Sequence, residues 1–224
     1  MRRLRGRGPL VVGLSRRPSD ADEHEEVDVA DREAVSVVAA RVLARHSRID
    51  LLVNNAGLPA RTRFAGGDEE RIERVVRVNY LGSVWTTLAF LPALHPGSQV
   101  VNLVSVAGLV AGGPYSASKH AQLAFSRSLA VELAPRDIHV LTVNPGFVET
   151  PGFPQRDGRF GPIFSRLVVD PPFVVERILD ALASGKTEIV VPRWYRAAGW
   201  AQALAPATLT RVRARTSRRR PRTP

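Results

Sequence analysis

Tyr115 and Lys119 stand four residues apart in Tyr115-Ser116-Ala117-Ser118-Lys119. On a helix that spacing puts both side chains on one face, with Cβ atoms about 5–6 Å apart. A tyrosine hydroxyl ordinarily titrates near ~10. A neighbouring ammonium favours the phenolate, as a cationic cofactor ring would, so the pair could work as an acid/base near neutral pH. The same pair on an arbitrary helix is an ordinary surface Tyr and Lys, and its surroundings decide between the two. Upstream, an apolar run ends at Ser105, before Val106-Ala107-Gly108; downstream, another ends in Asn144-Pro145-Gly146. Asn54-Asn55-Ala56-Gly57 follows a third run, its small residues suited to a turn or to a ligand passing close over backbone. Asn79, in Val78-Asn79-Tyr80-Leu81-Gly82, lies within a long amphipathic stretch. A buried amide there must find partners, for structure or for chemistry.

These segments need elements to position them, and the chain alternates short apolar runs with longer amphipathic stretches, the pattern of βαβ units and a parallel sheet. Leu10 to Leu14 reads as a strand ending at Ser15-Arg16-Arg17-Pro18. Residues 31–46 read as a helix capped by Asp31, with Val35, Val38, Val42 and Leu43 on one face. Ile49 to Val53, Gln99 to Ser105, Ile138 to Val143 and Glu188 to Val191 read as further strands. Helices are expected at 68–91, 116–134 and 173–183, with an irregular Gly/Pro/Phe-rich segment from Pro145-Gly146 to about residue 171. The fold class is therefore α/β, a doubly wound parallel sheet, which binds ligands at the carboxyl ends of its strands. Residues 1–193 form one domain, 194–215 an amphipathic appendage and 216–224 a basic tail expected to be disordered.

Composition narrows the function classes. A chain of 224 residues with 44% hydrophobic and 24% charged residues is ordinary globular stock for one domain. With no Cys, disulfide scaffolds, thiolate zinc and cysteine nucleophiles are excluded, and a reducing, cytoplasmic location is expected. No apolar run reaches the ~18 residues of a membrane-spanning helix. The five His (24, 46, 95, 120, 139) are scattered without chelating spacing, so no metal is expected. The net charge of +11 equals the four Arg of residues 1–8 plus the seven Arg of 206–224, so residues 9–205 balance at 21 basic and 21 acidic. Only Lys119 and Lys186 among the 32 basic residues are lysines. Arg is thus the default cation, and a nucleic-acid partner is not expected. Trp194, Tyr195 and Trp200 could lie at a lipid interface as a peripheral membrane contact, or pack on the substrate site or a subunit partner.

The motifs in this order resemble the short-chain dehydrogenase/reductase family, from about Leu10 to Val191, with its Rossmann-like fold. The resemblance implies hydride transfer between a nicotinamide cofactor and a carbonyl/alcohol pair. It makes Tyr115 the general acid/base and Lys119 the residue that lowers its pKa and grips the nicotinamide ribose. It makes Ser105 the residue that hydrogen-bonds the substrate oxygen, and Asn79 the one that holds a water in the proton relay. Asn54, Ala56 and Gly57 match the Asn-Asn-Ala-Gly motif beside the cofactor, and Asp28-Val29 the pair beside the adenine. Pro145, Gly146, Val148 and Thr150, in Asn-Pro-Gly-Phe-Val-Glu-Thr, match the segment that cradles the nicotinamide. A homo-dimer or tetramer is implied as well.

Cofactor choice has its own clue. An acidic residue after the strand at 10–14 would suit NAD(H); Ser15-Arg16-Arg17 stands there instead, and Arg forks suit a 2′-phosphate. NADP(H) is expected over NAD(H). Phe147, Phe153, Phe160 and Phe164 point to an apolar lid and a lipophilic carbonyl or alcohol, or equally to plain core packing.

Two departures from the family pattern bear on this reading. Ten positions separate Ser105 from Tyr115, a short loop expected to trim the pocket wall and to shift Ser105. No Gly-rich phosphate loop, with its strand before and helix after, precedes Leu10. On the order of 30 residues of a βαβ segment are missing from the pattern, and their strand would lie between those at 10–14 and 49–53. The expectation is of an N-terminally truncated Rossmann-like domain, from a start site set too far downstream. The rival is a catalytically impaired remnant or interaction protein.

Overall fold

The computed structural model describes residues 8–60, 62–150 and 167–218. In chain order the elements are β1 (Val12–Ser15), β2 (Glu23–Glu26), α1 (Arg32–Arg45), β3 (Ile49–Asn54), α2 (Glu69–Val76), a π-helical turn (Arg77–Leu81) and α3 (Gly82–Phe90). There follow β4 (Leu94–Leu103), α4 (Pro114–Leu133), β5 (His139–Pro145), α5 (Pro171–Ala183), β6 (Glu188–Val191), α6 (Arg196–Leu204) and α7 (Pro206–Arg218). Side-chain caps set two of the helix starts as their acidic residues predict. Asp31 accepts from the Ala34 N–H at 2.9 Å, and Asp68 from the Arg71 N–H at 3.0 Å.

Strands β3-β4-β5-β6 form a parallel sheet in that order. Their side chains alternate between two buried faces, which is why the runs read as almost unbroken apolar sequence. Val100 and Val140 face one layer with Val35, Val38 and Val42 of α1, Phe90 of α3 and Leu129 and Leu133 of α4. Val101, Leu141 and Val143 face the other, with Ile178, Ala181 and Leu182 of α5. Helices on both faces of a parallel sheet make the fold Rossmann-like.

Strands β1 and β2 pair only with each other, in parallel. Val12 and Leu14 of β1 share a core with Ile49 and Leu52 of β3. Among the described residues, however, no hydrogen-bonded ladder joins β1 to β3, whose Val53 is 45% exposed. Among the described residues the parallel strands therefore form two separate sheets. Strand β2, Glu-His-Glu-Glu, is a structural surprise that hydrophobic pattern could not reveal. Charge holds it to α1: Arg41 and Arg45 donate to Glu25, and His46 meets Glu23 at 2.9 Å. Hydrogen bonds from those two guanidinium groups lower the Glu25 pKa.

The single helix expected at 68–91 is broken into three pieces by the π-helical turn that carries Asn79. Directly after the turn, the Asp28-Val29 loop crosses the helix so closely that a Cβ on Gly82 would lie 2.9 Å from Val29 Cγ2. Glycine is required there by that approach, and it fixes Asp28 and Val29 on the helix.

Candidate active site

The carboxyl ends of β3, β4 and β5 and the first turns of α4 lie on one edge of the sheet. Asn54, the last residue of β3, is buried, and its Nδ2 donates to Thr87 Oγ1 at 2.9 Å and Asn102 Oδ1 at 2.8 Å. Asn102 Nδ2 in turn donates to Ser126 Oγ at 2.9 Å. Asn54 therefore ties β3 to α3, β4 and α4, and its side chain serves the frame. The chain then turns outward, leaving Ala56 and Gly57 exposed.

Asn79 is fully buried in the π-helical turn. Its Oδ1 accepts from the Leu58 N–H at 2.7 Å, while Nδ2 donates to the Leu58 C=O at 3.0 Å and to Ser118 Oγ at 3.0 Å. All the capacity of its amide nitrogen is committed to protein groups. Ser118 Oγ donates onward to the Tyr115 C=O at 2.8 Å. Asn79 thus links the loop after β3 to the start of α4.

Ser105 follows β4 and caps a short 3₁₀ turn (Val106–Leu109), its Oγ accepting from the Ala107 N–H at 3.1 Å. Its Oγ donates to the Pro145 C=O at 3.5 Å, and it is close enough to Tyr115 to act on the phenol, so the short intervening loop still brings Ser105 near the tyrosine. Tyr115 lies in the first turn of α4, which opens with Pro114. Burial raises the Tyr115 pKa, with the Ser105 hydroxyl working in the opposite direction. Lys119 is not among the groups acting on it here. The Lys119 ammonium is directed elsewhere, donating to the Leu103 C=O at 2.9 Å and to Gln122 Oε1 at 2.7 Å. Lys119 is itself buried, and burial pushes its pKa down to about 7. Gly57 faces both it and Asn79: a Cβ there would lie 3.7 Å from Lys119 Nζ and 3.5 Å from Asn79 Oδ1. Asn79, Ser105, Tyr115 and Lys119 are therefore gathered at one place, with the exposed Ala56-Gly57 backbone beside them.

Pro145 ends β5, and the ring of Tyr195 lies on Gly146 so closely that a Cβ would come within 2.2 Å of its Cε2. Phe147 meets the same ring edge-on, centroids 6.0 Å apart. Val148 forms a parallel bridge with Val169, and Thr150 is the last described residue before the segment holding Phe153, Phe160 and Phe164, which lies outside the described residues. Of the aromatic residues at 194–200, Tyr195 is the one that packs on this edge.

Ser15, Arg16, Arg17, Asp28 and Val29 form a second group, at the carboxyl ends of β1 and β2. Arg16 and Arg17 are exposed. Ser15 Oγ donates to the Arg17 C=O at 2.6 Å, which folds the strand end back. Burial acts upward on the Asp28 carboxyl, yet its pKa is lowered by hydrogen bonds from Arg74 and the Ala30 N–H and by the charge of Arg16. Arg74 went unread in the sequence because a lone Arg on an amphipathic helix carries no signal. Gln122 left a trace, as a polar residue three positions after Lys119 on a helix face that must be buried.

These residues fit a nicotinamide nucleotide at its ribose end: an exposed small-residue backbone at Ala56-Gly57, a buried ammonium facing Gly57, and a phenol beside a hydroxyl. The comparisons agree. The short chain dehydrogenase family model matches residues 14–157. The chain is 33% identical over 175 residues to Dehydrogenase/reductase SDR family member 7B of Xenopus laevis, across 73% of this chain and 54% of that protein. It spans about half the length of the curated relatives it matches. It superposes on a short-chain dehydrogenase of Streptomyces avermitilis with TM-score 0.74 at 28% identity, covering 94% of this chain and 89% of the other. A short chain dehydrogenase of Burkholderia cenocepacia, solved in complex with NADP, gives TM-score 0.71 at 28% identity over 85% and 78%. The chain belongs to the short-chain dehydrogenase family.

Proposed function

We propose that this chain is the catalytic part of a nicotinamide-dependent oxidoreductase that interconverts a carbonyl and an alcohol. One observation carries the reading: Ser105, Tyr115, Lys119 and Asn79 converge beside an exposed Ala56-Gly57 backbone. The cofactor, when bound, supplies the hydride. Tyr115 gives its proton to the substrate oxygen in reduction and takes it back in oxidation. Its raised pKa keeps it a phenol at neutral pH, the form that donates. Ser105 donates to the same oxygen and orients it. Lys119 faces the Gly57 backbone, where a ribose hydroxyl would accept from its third N–H. Asn79 fixes that backbone through Leu58, and the resemblance gives it a relay water. Pro145, Gly146, Val148 and Thr150 would line the nicotinamide, and Asp28 and Val29 the adenine.

NADP(H) is the proposed cofactor, over NAD(H), on the exposed Arg16 and Arg17 beside the expected 2′-position. The substrate is proposed to be a small lipophilic carbonyl or alcohol, the assembly a homo-dimer or tetramer, and the location cytoplasmic. Among the described residues no helix is long and apolar enough to cross a membrane. Residues 194–215 are proposed as an appendage able to touch an anionic membrane surface. Trp194, Trp200 and Leu204 are 57%, 65% and 86% exposed, and residues 193–224 carry nine Arg and no acid.

A second reading, a protein that keeps this site without turning over, is favoured by the two separate sheets formed among the described residues. NADPH oxidation against a panel of aldehydes and ketones separates the two. The first reading expects turnover that Tyr115→Phe removes; no turnover with any carbonyl in either direction supports the second.

A further inference from the structure

Lys119 is the least explained group of the site. An ammonium taken out of water must give its three N–H groups to acceptors. One goes to the Leu103 C=O and one to Gln122 Oε1. Gln122 is itself fully buried, and its Nε2 donates to Ser83 Oγ at 2.8 Å on α3. The amide orientation follows from chemistry: an ammonium can only donate, so oxygen must face Lys119 and nitrogen must face Ser83. The result is a buried chain from α3 to the end of β4, Ser83–Gln122–Lys119–Leu103. It leaves one N–H of Lys119 uncommitted, with Nζ 3.7 Å from where a Cβ on Gly57 would stand.

The geometry points to Gln122 as a positioning residue that fixes the Lys119 ammonium, and its protonation, toward the Gly57 backbone. The inference rests on the proposed function only for the use made of Lys119; the contact itself stands without it. An apolar residue at 122 would leave the buried ammonium with the Leu103 carbonyl alone, favouring the neutral amine. A carboxylate would favour the ammonium.

Among the described residues, the charged side chains of the surrounding elements have partners or positions of their own. On α4 itself the titratable neighbours are Tyr115 and the adjacent His120, whose side chain is exposed. Before α4 in the fold, Arg77 pairs with Glu73 and Arg74 with Asp28. His95 on β4 and His139 on β5 lie at the amino-terminal ends of their strands, opposite to Leu103. On β6, Glu188 is taken by Arg127 and Asn144. Burial lowers the Lys119 pKa, and acceptor oxygens at Gln122 and Leu103 favour the ammonium against it.

The test uses the fact that the chain has only two lysines. In the full chain with Lys186→Arg and ¹³C-labelled lysine, one side-chain resonance reports Lys119 by NMR, without cofactor or turnover. Gln122→Met should lower its titration midpoint by about a unit, a tenfold loss of proton affinity, and Gln122→Glu should raise it by at least as much. If Gln122→Met does not fold, Gln122→Glu, of nearly the same shape, decides alone. Midpoints equal to that of the parent in the folded variants would overturn the proposal, since a Gln that merely fills space moves neither. The reading also expects the pH profile of kcat to shift in the same direction as the midpoint in each variant. Because the titration needs no reaction, it can fail while the Tyr115→Phe result holds, and the reverse.

Discussion

The Asn79 side chain holds the Leu58 peptide at both ends, accepting from its N–H at 2.7 Å and donating to its C=O at 3.0 Å. A side-chain amide here does the work of a neighbouring strand, pinning the loop that carries Ala56 and Gly57 onto the π-helical turn. Its third bond, to Ser118, carries the same restraint into α4. That loop and the helix bearing Tyr115 and Lys119 are therefore set by one buried residue.

Replacing Asn79 by Leu removes three hydrogen bonds and leaves the Leu58 peptide groups without that partner. The expected loss of stability is about 3 kcal/mol, read by urea denaturation. Asn79→Asp should lose less at low pH, where the protonated carboxyl can still accept from the Leu58 N–H and donate to its C=O. Equal losses in the two variants would contradict the two-ended contact.

The depressed pKa of Lys119 makes folding stability depend on pH. Its folded value is about 7, against ~10.4 for an unperturbed lysine. Between those values the unfolded state binds more protons, so stability should rise with pH, by up to ~1.4 kcal/mol per unit from this group. The contribution is complete above the unfolded value and lost as pH falls through the folded one. Lys119→Met should flatten the rise between pH ~7 and ~10. Parallel curves for the two proteins would show that Lys119 is not the source.

Arg16 and Arg17 stand at the end of β1, and Arg16 also acts on the Asp28 carboxyl. The double variant Arg16→Ala, Arg17→Ala should weaken NADPH binding by about tenfold or more while leaving NADH nearly unchanged, as loss of a charged phosphate contact demands. Fluorescence titration with both nucleotides reads the difference. An equal loss for the two would remove the basis for the NADP(H) preference.

Much of this arrangement was legible in the sequence where hydrophobic period and cap chemistry agree. The strands from 49 onward, the cap at Asp31, and the Tyr115–Lys119 face all follow from local pattern. Glu23–Glu26 was illegible because its pairing to α1 is made by ion pairs between residues some twenty apart in sequence, which leave no periodic trace. The π-helical turn was hidden inside one amphipathic stretch, since a single extra residue in a helix barely alters its apolar face. Asn54 shows the limit of motifs: its type and place were plain, but its bonds to Thr87 and Asn102 are tertiary. The direction of the Lys119 ammonium was likewise settled by Leu103 and Gln122, whose positions relative to it only the fold determines.

The most direct test of the central claim follows hydrogen rather than rate. The protein is given NADPH deuterated at the transferable position of the nicotinamide, with an aldehyde or ketone that it reduces, and the product alcohol is weighed by mass spectrometry. The account predicts one deuterium on the former carbonyl carbon of the alcohol, and no labelled alcohol from Tyr115→Phe. Unlabelled alcohol from the native chain, or undiminished labelled product from Tyr115→Phe, would contradict it.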